Sequence, residues 1–474
     1  MKKAKKVFLK ILAAILAIIF AVCAVCGIYY AASRSCTLTV KVDTKSPLRD
    51  FYGWGTSDCW WADNIDDEET RNQIADVLFT DKGLNLDTYR YCLYGGYDPD
   101  NTVVTSQWRL GESFYYYNEQ SGSYEYDWSK SENARLMLQA ALDRGVDTVV
   151  LFANSPHYSM CINGRSSGAD DGESSNISPE KYQDYVDYFL TITQHFIDEG
   201  VPVKFISPIN EPQWGWGGES PAQEGCHYEK EQAVELLKLF AKGIKERNMD
   251  VKLCALESGN IGDTAKGYYE AMAADEDISS VLGVHSFHSY FNDTNALKKS
   301  KFGKWINKNV SVRSDMSEWC ELPSAHDASD PATACIMARV ISNDISKLNV
   351  NAWCNWVAVN EIGVGDDGKD YSDGLLVADP NNTADYYTAY RLYGYMQFSK
   401  FVPAGSHVLD CGDGMLTLTS SKTDEGTTYR ELVNETAFKT PDGKIVVVVV
   451  NEGNSRNVKF SLDDYSNVSV YTTN

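Results

Sequence analysis

Two glutamates stand in settings that suit chemistry at a polar bond. Glu211 lies in Phe205-Ile206-Ser207-Pro208-Ile209-Asn210-Glu211-Pro212-Gln213-Trp214, where an apolar strand-like run ends on an acid followed by proline. Proline has no N–H to give a ladder and stops the strand, so the carboxyl is left at the strand end beside the Asn210 amide and the Trp214 indole. Glu318 lies in Arg313-Ser314-Asp315-Met316-Ser317-Glu318-Trp319-Cys320, at the end of another such run. Cleaving an acetal needs a proton donor for the leaving oxygen and a group that attacks or activates water, and two carboxyls suffice. A gap of roughly 5 Å between them implies a covalent intermediate and retained configuration; roughly 6.5 to 9.5 Å leaves room for water and inversion. Glu211 is expected as acid/base and Glu318 as nucleophile, with titration split so that Glu318 is ionised and Glu211 protonated.

For two acids so far apart in sequence to meet, the chain must return strand ends to one place. From residue 50 to about 400, short apolar runs alternate with longer amphipathic ones, the pattern of repeated βα units. Strands are expected near Phe51–Gly55, Leu86–Cys92, Thr148–Asn154, Val203–Asn210, Val251–Leu256, Val281–His285, Val310–Met316 and Asn351–Asn355. Helix starts are legible between them. Ser178-Pro179-Glu180 caps a run with Tyr182, Tyr185, Val186 and Phe189 on one face, and Asp330-Pro331 opens another with Cys335, Ile336, Val340, Ile341 and Ile345. Eight such units make a (β/α)8 TIM barrel, an α/β fold whose catalytic groups sit at the strand C-termini, with strands four and seven facing across the mouth. A doubly wound open sheet is the structural alternative, but no glycine fingerprint for a nucleotide follows the first strand.

After Phe401 the pattern turns to strands without helices: Met415–Ser420, Lys444–Asn451, Val458–Leu462 and Val468–Thr472. Thr37–Val42 alternates in the same way, so a fused β-sandwich built from both chain ends is expected. The divisions are then 1–34, a signal peptide or signal anchor; 35–48 with 402–474, the sandwich; and 49–401, the catalytic barrel. A strand running to Asn474 without a closing turn suggests a sandwich incomplete at that edge.

The chain of 474 residues has a formal charge of -23, which excludes a phosphate-binding basic stripe and therefore a nucleic-acid partner. Its 29 Tyr and 11 Trp, many in Gly/Asn/Ser-rich stretches, suit a groove that stacks on sugar faces. MKKAKK followed by an apolar run from Val7 to Ala32 is an export signal, cleaved or kept as a membrane tether, and places the catalytic part outside the cytoplasm, secreted or anchored at the outer face of the membrane. The ten cysteines beyond that run are widely spaced, unlike a zinc cluster or a small disulfide framework; most read as buried thiols, and Cys161 and Cys226 lie in loops where pairing is open.

Asn210-Glu211-Pro212 after the fourth strand and Ser317-Glu318-Trp319 after the seventh resemble the barrel hydrolases of glycoside hydrolase family 30. The resemblance extends over residues 36 to 474. It includes Phe51-Tyr52-Gly53-Trp54-Gly55-Thr56-Ser57 with Trp60-Trp61, Arg90-Tyr91, Asn154-Ser155-Pro156, His285-Ser286-Phe287-His288-Ser289-Tyr290 and Trp353 to Trp356. It implies that Tyr290 bonds the nucleophile, Arg90 supports the carboxylate floor and Trp356 is the platform under the sugar at the cleavage point. Residues expected on the substrate are Trp54, Arg90, Asn154, Asn210, Trp214, Glu257, His288, Tyr290 and Trp356, with Glu224 a further carboxylate for a hydroxyl. Gln213-Trp214-Gly215-Trp216-Gly217-Gly218 with Gln223-Glu224-Gly225-Cys226, and Asn154 to Met160 with Asn163-Gly164, are similar to the endo-β-1,6-galactanase branch, although His157 and Tyr158 depart from it. That branch implies endo action on β-1,6-galactan side chains of arabinogalactan.

The same mechanism on β-1,6-glucan or xylan is an alternative, and a silent carbohydrate-binding surface protein is one of another class. No cofactor is expected, and the histidines lack a third ligand at zinc spacing. Asp366-Asp367-Gly368-Lys369-Asp370 reads as a solvated turn, because a calcium loop needs a later bidentate Glu that is missing.

Overall fold

The computed structural model describes residues 10, 12–25, 27, 38–322, 326–411, 418–423, 426–453, 455, 457–462 and 467–473. Eight parallel strands close into a barrel: β1 (Gly53–Ser57), β2 (Thr88–Cys92), β3 (Thr148–Phe152), β4 (Val203–Ser207), β5 (Lys252–Ser258), β6 (Leu282–His288), β7 (Arg313–Glu318) and β8 (Ala352–Val357). All eight expected strands are present. Closure joins β8 to β1 with Ala352 opposite Gly53 and Trp353 opposite Trp54. Gly53 is required at this seam: its φ is +130°, and a Cβ there would meet the Asp87 carboxylate, which accepts the Trp54 N–H at 3.1 Å.

The outer helices form where the apolar spacing places them. Tyr182–Asp198 follows a turn over Pro179–Lys181 and buries Tyr182, Tyr185, Val186 and Phe189 against the barrel. Ala332–Asn343 starts after Pro331 and buries Val340 and Ile341, while Ile345 falls in a wider π turn that continues it. Lys230–Glu246 begins with a reciprocal capping box between Glu229 and Gln232.

The sandwich draws on both chain ends, as expected. Leu38–Lys41 pairs in parallel with Val458–Ser461, and a four-stranded sheet orders Arg49–Phe51, Ser406–Leu409, Val433–Lys439 and Ile445–Asn451. Arg49–Phe51 therefore belongs to the sandwich, a few residues beyond the limit read from sequence. Leu418–Thr423 pairs with Gly426–Glu431, so the strand expected at Met415–Ser420 is displaced towards its C-terminal end; residues 412–417 lie outside the described residues. The expected strand at Val468–Thr472 is absent. That stretch finds no ladder partner among the described residues and lies instead against the last barrel helix, Tyr390–Ser399, and the residues just after it, with Tyr471 against Phe401 at 4.6 Å and Thr473 bonded to Gln397 at 2.7 Å.

The sandwich is locked to the barrel away from its mouth. Phe51 packs on Trp54 of β1 at 4.6 Å, and the buried pair Arg339–Glu452 closes at 2.7 Å. Of the N-terminal segment, residues 12–25 are helical and exposed; most of 1–34, with Cys26 and Cys36, lies outside the described residues, and among the described residues no helix is long and apolar enough to cross a membrane.

Candidate active site

The C-terminal ends of the strands surround a cleft of about 310 Å³ that both Glu211 and Glu318 line. Glu318 is the last residue of β7, with its Cα opposite that of His288 on β6. Glu211 is reached after β4, its N–H bonded to the Glu257 carbonyl at 2.8 Å and its φ at +46°. A residue before proline ordinarily stays extended, so this left-handed turn is backbone strain held in place by the β4–β5 junction, and it aims the carboxyl inward. Gly259 leaves the room: a Cβ there would lie 2.1 Å from the Trp214 indole nitrogen and 2.5 Å from Glu211 Oε1.

Carboxylate oxygens of Glu211 and Glu318 and a ring nitrogen of His288 all fall within 4.8 Å of one another. His288 Nδ1 is 2.9 Å from Glu211 Oε1 and 3.6 Å from Glu318 Oε1, while Nε2 is 3.4 Å from Glu257 Oε2. Burial alone would lower the imidazole pKa, but Glu318, Glu211 and Glu257 together raise it to about 10. His288 is thus a cation among acids.

Beneath the trio, Arg90 on β2 is fully buried, with Nη1 3.2 Å from Glu318 Oε2, Nη2 3.5 Å from Glu257 Oε1 and its plane 4.2 Å from the centre of Phe152. Tyr290 donates to the other Glu318 oxygen at 3.1 Å. Burial would raise Glu257, yet Arg90 and His288 hold it down at about 2. Glu318 behaves differently. Burial raises it above the ordinary carboxylate value, His288 and Arg90 pull it back, and Glu211 and Glu257 push it up again, with a net rise. Desolvation therefore outweighs the two cations at Glu318.

Of the other residues expected on the substrate, Asn210, Trp214, Tyr290 and Trp356 line the cleft. Five do not. Trp54 is a correction: on β1 it points out of the barrel, with Nε1 bonded to the Val402 carbonyl at 2.7 Å and its ring among Phe51, Tyr395 and Phe398. Asn154 stands behind Asn210 and accepts its amide at 3.1 Å. Glu257, Arg90 and His288 are buried supports of the two cleft acids rather than sugar contacts. Glu224 is likewise buried, pushed up to about 8 by desolvation against the backbone N–H groups of Gly95 and Gly96. Cys161 and Cys226 are separate buried thiols, and the 366–370 loop is a turn in which Asp367 bonds Tyr371 and Asp370 bonds Tyr387.

The cleft wall also includes Arg109, Trp216, Gln223, Phe291, Cys320, Leu322 and Asp373. They arrive on the loops after β2, β4, β6, β7 and β8, where no periodicity marks them. Only the density of aromatic and amide residues around 213–226 gave a signal.

A closed eight-stranded barrel with paired acids at its mouth and a sandwich made from both chain ends defines the class of barrel glycoside hydrolases. Within that class the chain belongs to glycosyl hydrolase family 30: the family profile matches residues 37–377 and that of the family's β-sandwich domain residues 419–474. It is 24% identical over 448 residues to an endo-β-1,6-galactanase of Hypocrea rufa, covering 90% of this chain and 83% of that one. It is 22% identical to an exo-β-1,6-galactobiohydrolase of Bifidobacterium longum subsp. longum, covering 72% of this chain and 28% of that longer one. A conserved exported protein of Bacteroides fragilis superposes with a TM-score of 0.74 at 21% identity, over 90% of this chain and 92% of that one.

Proposed function

We propose that this glycoside hydrolase is a retaining endo-β-glycanase whose substrate is β-1,6-linked galactan, the side chains of arabinogalactan. The observation that carries the mechanism is the approach of Glu211 and Glu318 oxygens within 4.8 Å, which suits the roughly 5 Å separation of carboxyls at which one attacks directly. Glu318, presented by Arg90 and Tyr290, attacks the anomeric carbon as the bond to the leaving oxygen breaks, and Glu211 gives that oxygen its proton. Glu211 then takes a proton from water, whose oxygen displaces Glu318 from the sugar and restores the starting configuration.

Endo action is supported by a cleft walled by Trp214, Trp216, Phe291 and Leu322 around the acids. The galactan assignment is supported by the two β-1,6-galactan-acting relatives. The basic start and apolar run of the N-terminal segment support a protein that works outside the cytoplasm, secreted or tethered; N-terminal sequencing of the exported chain tests it, and a mature chain beginning at Met1 in the cytosol would refute it.

The function is tested by incubating wild type and E318Q with β-1,6-galactan, β-1,6-glucan and xylan and sizing the products. Oligosaccharides from galactan alone, released by wild type only, are expected. Equal release by E318Q would refute the mechanism, and exclusive release from glucan or xylan would refute the substrate.

A further inference from the structure

We propose that Asp373 is a specificity-determining residue of the cleft, a carboxylate held by Asn360 and by the Cys320 thiol that accepts hydroxyl hydrogen bonds from the sugar ring over Trp356. The inference rests on the glycanase reading and deepens it. Among the described residues lining the cleft, Asp373 is the only acid besides Glu211 and Glu318. Asn360 Nδ2 donates to its Oδ1 at 2.6 Å, and Cys320 Sγ donates to its Oδ2 at 3.2 Å. Both donors are neutral, and no cation pairs with Asp373 among the described residues. They fix the plane of the carboxylate without neutralising it, and each oxygen keeps a lone pair for the half-open cleft. Burial and the charge of Asp373 push the Cys320 thiol well up, which keeps it protonated and a donor.

The position selects the ring. Cys320 lies two residues beyond Glu318, and its sulfur is 3.6 Å from the Tyr290 hydroxyl that itself bonds Glu318. The ring whose anomeric carbon meets Glu318 is therefore the one whose hydroxyls reach Asp373. An ionised acceptor that is already oriented binds O–H donors more strongly than a neutral amide does, and it penalises a ring that lacks the hydroxyl in question. A purely structural Asp373, tying the loop after β8 to Cys320, would make no such distinction among sugars.

The test uses the smallest product that the wild-type enzyme releases, together with versions deoxygenated singly at carbon 2, 3 or 4 of the reducing-end ring, as competitive inhibitors of wild type, D373N, C320S and C320A. For wild type, one or two of these deoxygenations are expected to weaken inhibition roughly ten- to hundredfold. For D373N the parent product should weaken to match, and the same deoxygenations should then cost nothing further. C320S, which keeps a donor, should retain the wild-type pattern, and C320A should lose part of it. Melting temperatures identify a D373N chain that fails to fold, in which case the two Cys320 variants decide. A deoxygenation pattern unchanged in D373N, or identical in C320S and C320A, overturns the proposal. If the released sugar is not galactose, the galactan reading falls while Asp373 is still tested on the sugar that is released.

Discussion

The floor of the cleft and its wall are built on different principles. On the floor, β2, β5, β6 and β7 each contribute a charged side chain, Arg90, Glu257, His288 and Glu318, to one buried network in which every member touches at least one other of opposite sign. The wall is made of loops held by contacts outside that network, such as Arg109 on Gln223 at 3.4 Å or Trp214 edge-on to Phe291 at 5.9 Å. A desolvated ionic network tolerates no substitution that leaves a charge unpaired, so the floor fixes the reaction. A change in the wall leaves that network paired, and on the proposed function the wall is where the choice of sugar resides.

This contrast can be broken by mutation, starting with the largest effect. E318Q removes the nucleophile and is expected to lower kcat by roughly 10⁴-fold or more with little change in melting temperature, and E211Q by roughly 10² to 10⁴-fold. A stable E318Q with near-normal kcat would remove the floor's role. R90M should lower kcat/KM by about a hundredfold and move the acid limb of its pH profile upward. The sign follows from the charges: Glu318 must be ionised to attack, burial already raises it, and Arg90 is one of the groups pulling it down. A limb that stays in place would show that Arg90 is structural only.

The floor should also register in stability. Glu257 is depressed from 4.5 to about 2, so its pairing stabilises the folded chain fully above pH 4.5 and is lost as pH falls towards 2. E257Q should flatten that part of the acid unfolding curve while lowering stability at neutral pH by about 3 kcal/mol, because Arg90 and His288 each lose one of their buried carboxylate partners and Arg90 keeps only Glu318. At the wall, W214A should raise KM about tenfold with kcat within about threefold, and a kcat loss matching that of R90M would place Trp214 on the floor instead. The smallest effect on catalysis is expected far from the mouth. R339A, which breaks the pair with Glu452 under the sandwich, should cost about 3 kcal/mol of stability and leave kcat unchanged at 25 °C.

The floor was more legible in the sequence than the wall. Strand ends announce themselves by apolar runs stopped at polar residues, so Glu211 and Glu318 could be assigned by position on a ring, while Arg90 and Tyr290 were implied by the family resemblance. What strand-end logic could not supply was direction within a strand. Trp54 and Trp356 sit on neighbouring strands, yet one faces the outer helices and the other the cleft, because successive side chains alternate and only the register between β8 and β1 settles which is which. It also could not supply depth: Glu257 and His288 lie on the right strands but are covered by the residues they support. Asp373 and Arg109 were invisible for another reason. They stand on long loops, where neither period nor turn chemistry ties a side chain to the mouth. The terminal strand expected at Val468–Thr472 failed similarly, since its β-branched residues encode a preference that is realised only beside a partner.

The pairing of Glu211 and Glu318 across a single glycosidic bond is tested most directly by trapping the intermediate. Wild-type protein is incubated with a 2-deoxy-2-fluoro-β-galactosyl donor carrying an activated leaving group, and the peptides are then sequenced by mass. One sugar added per chain, on Glu318, is the expected result. An unmodified chain that still turns over galactan, or an adduct on any other residue, would contradict it.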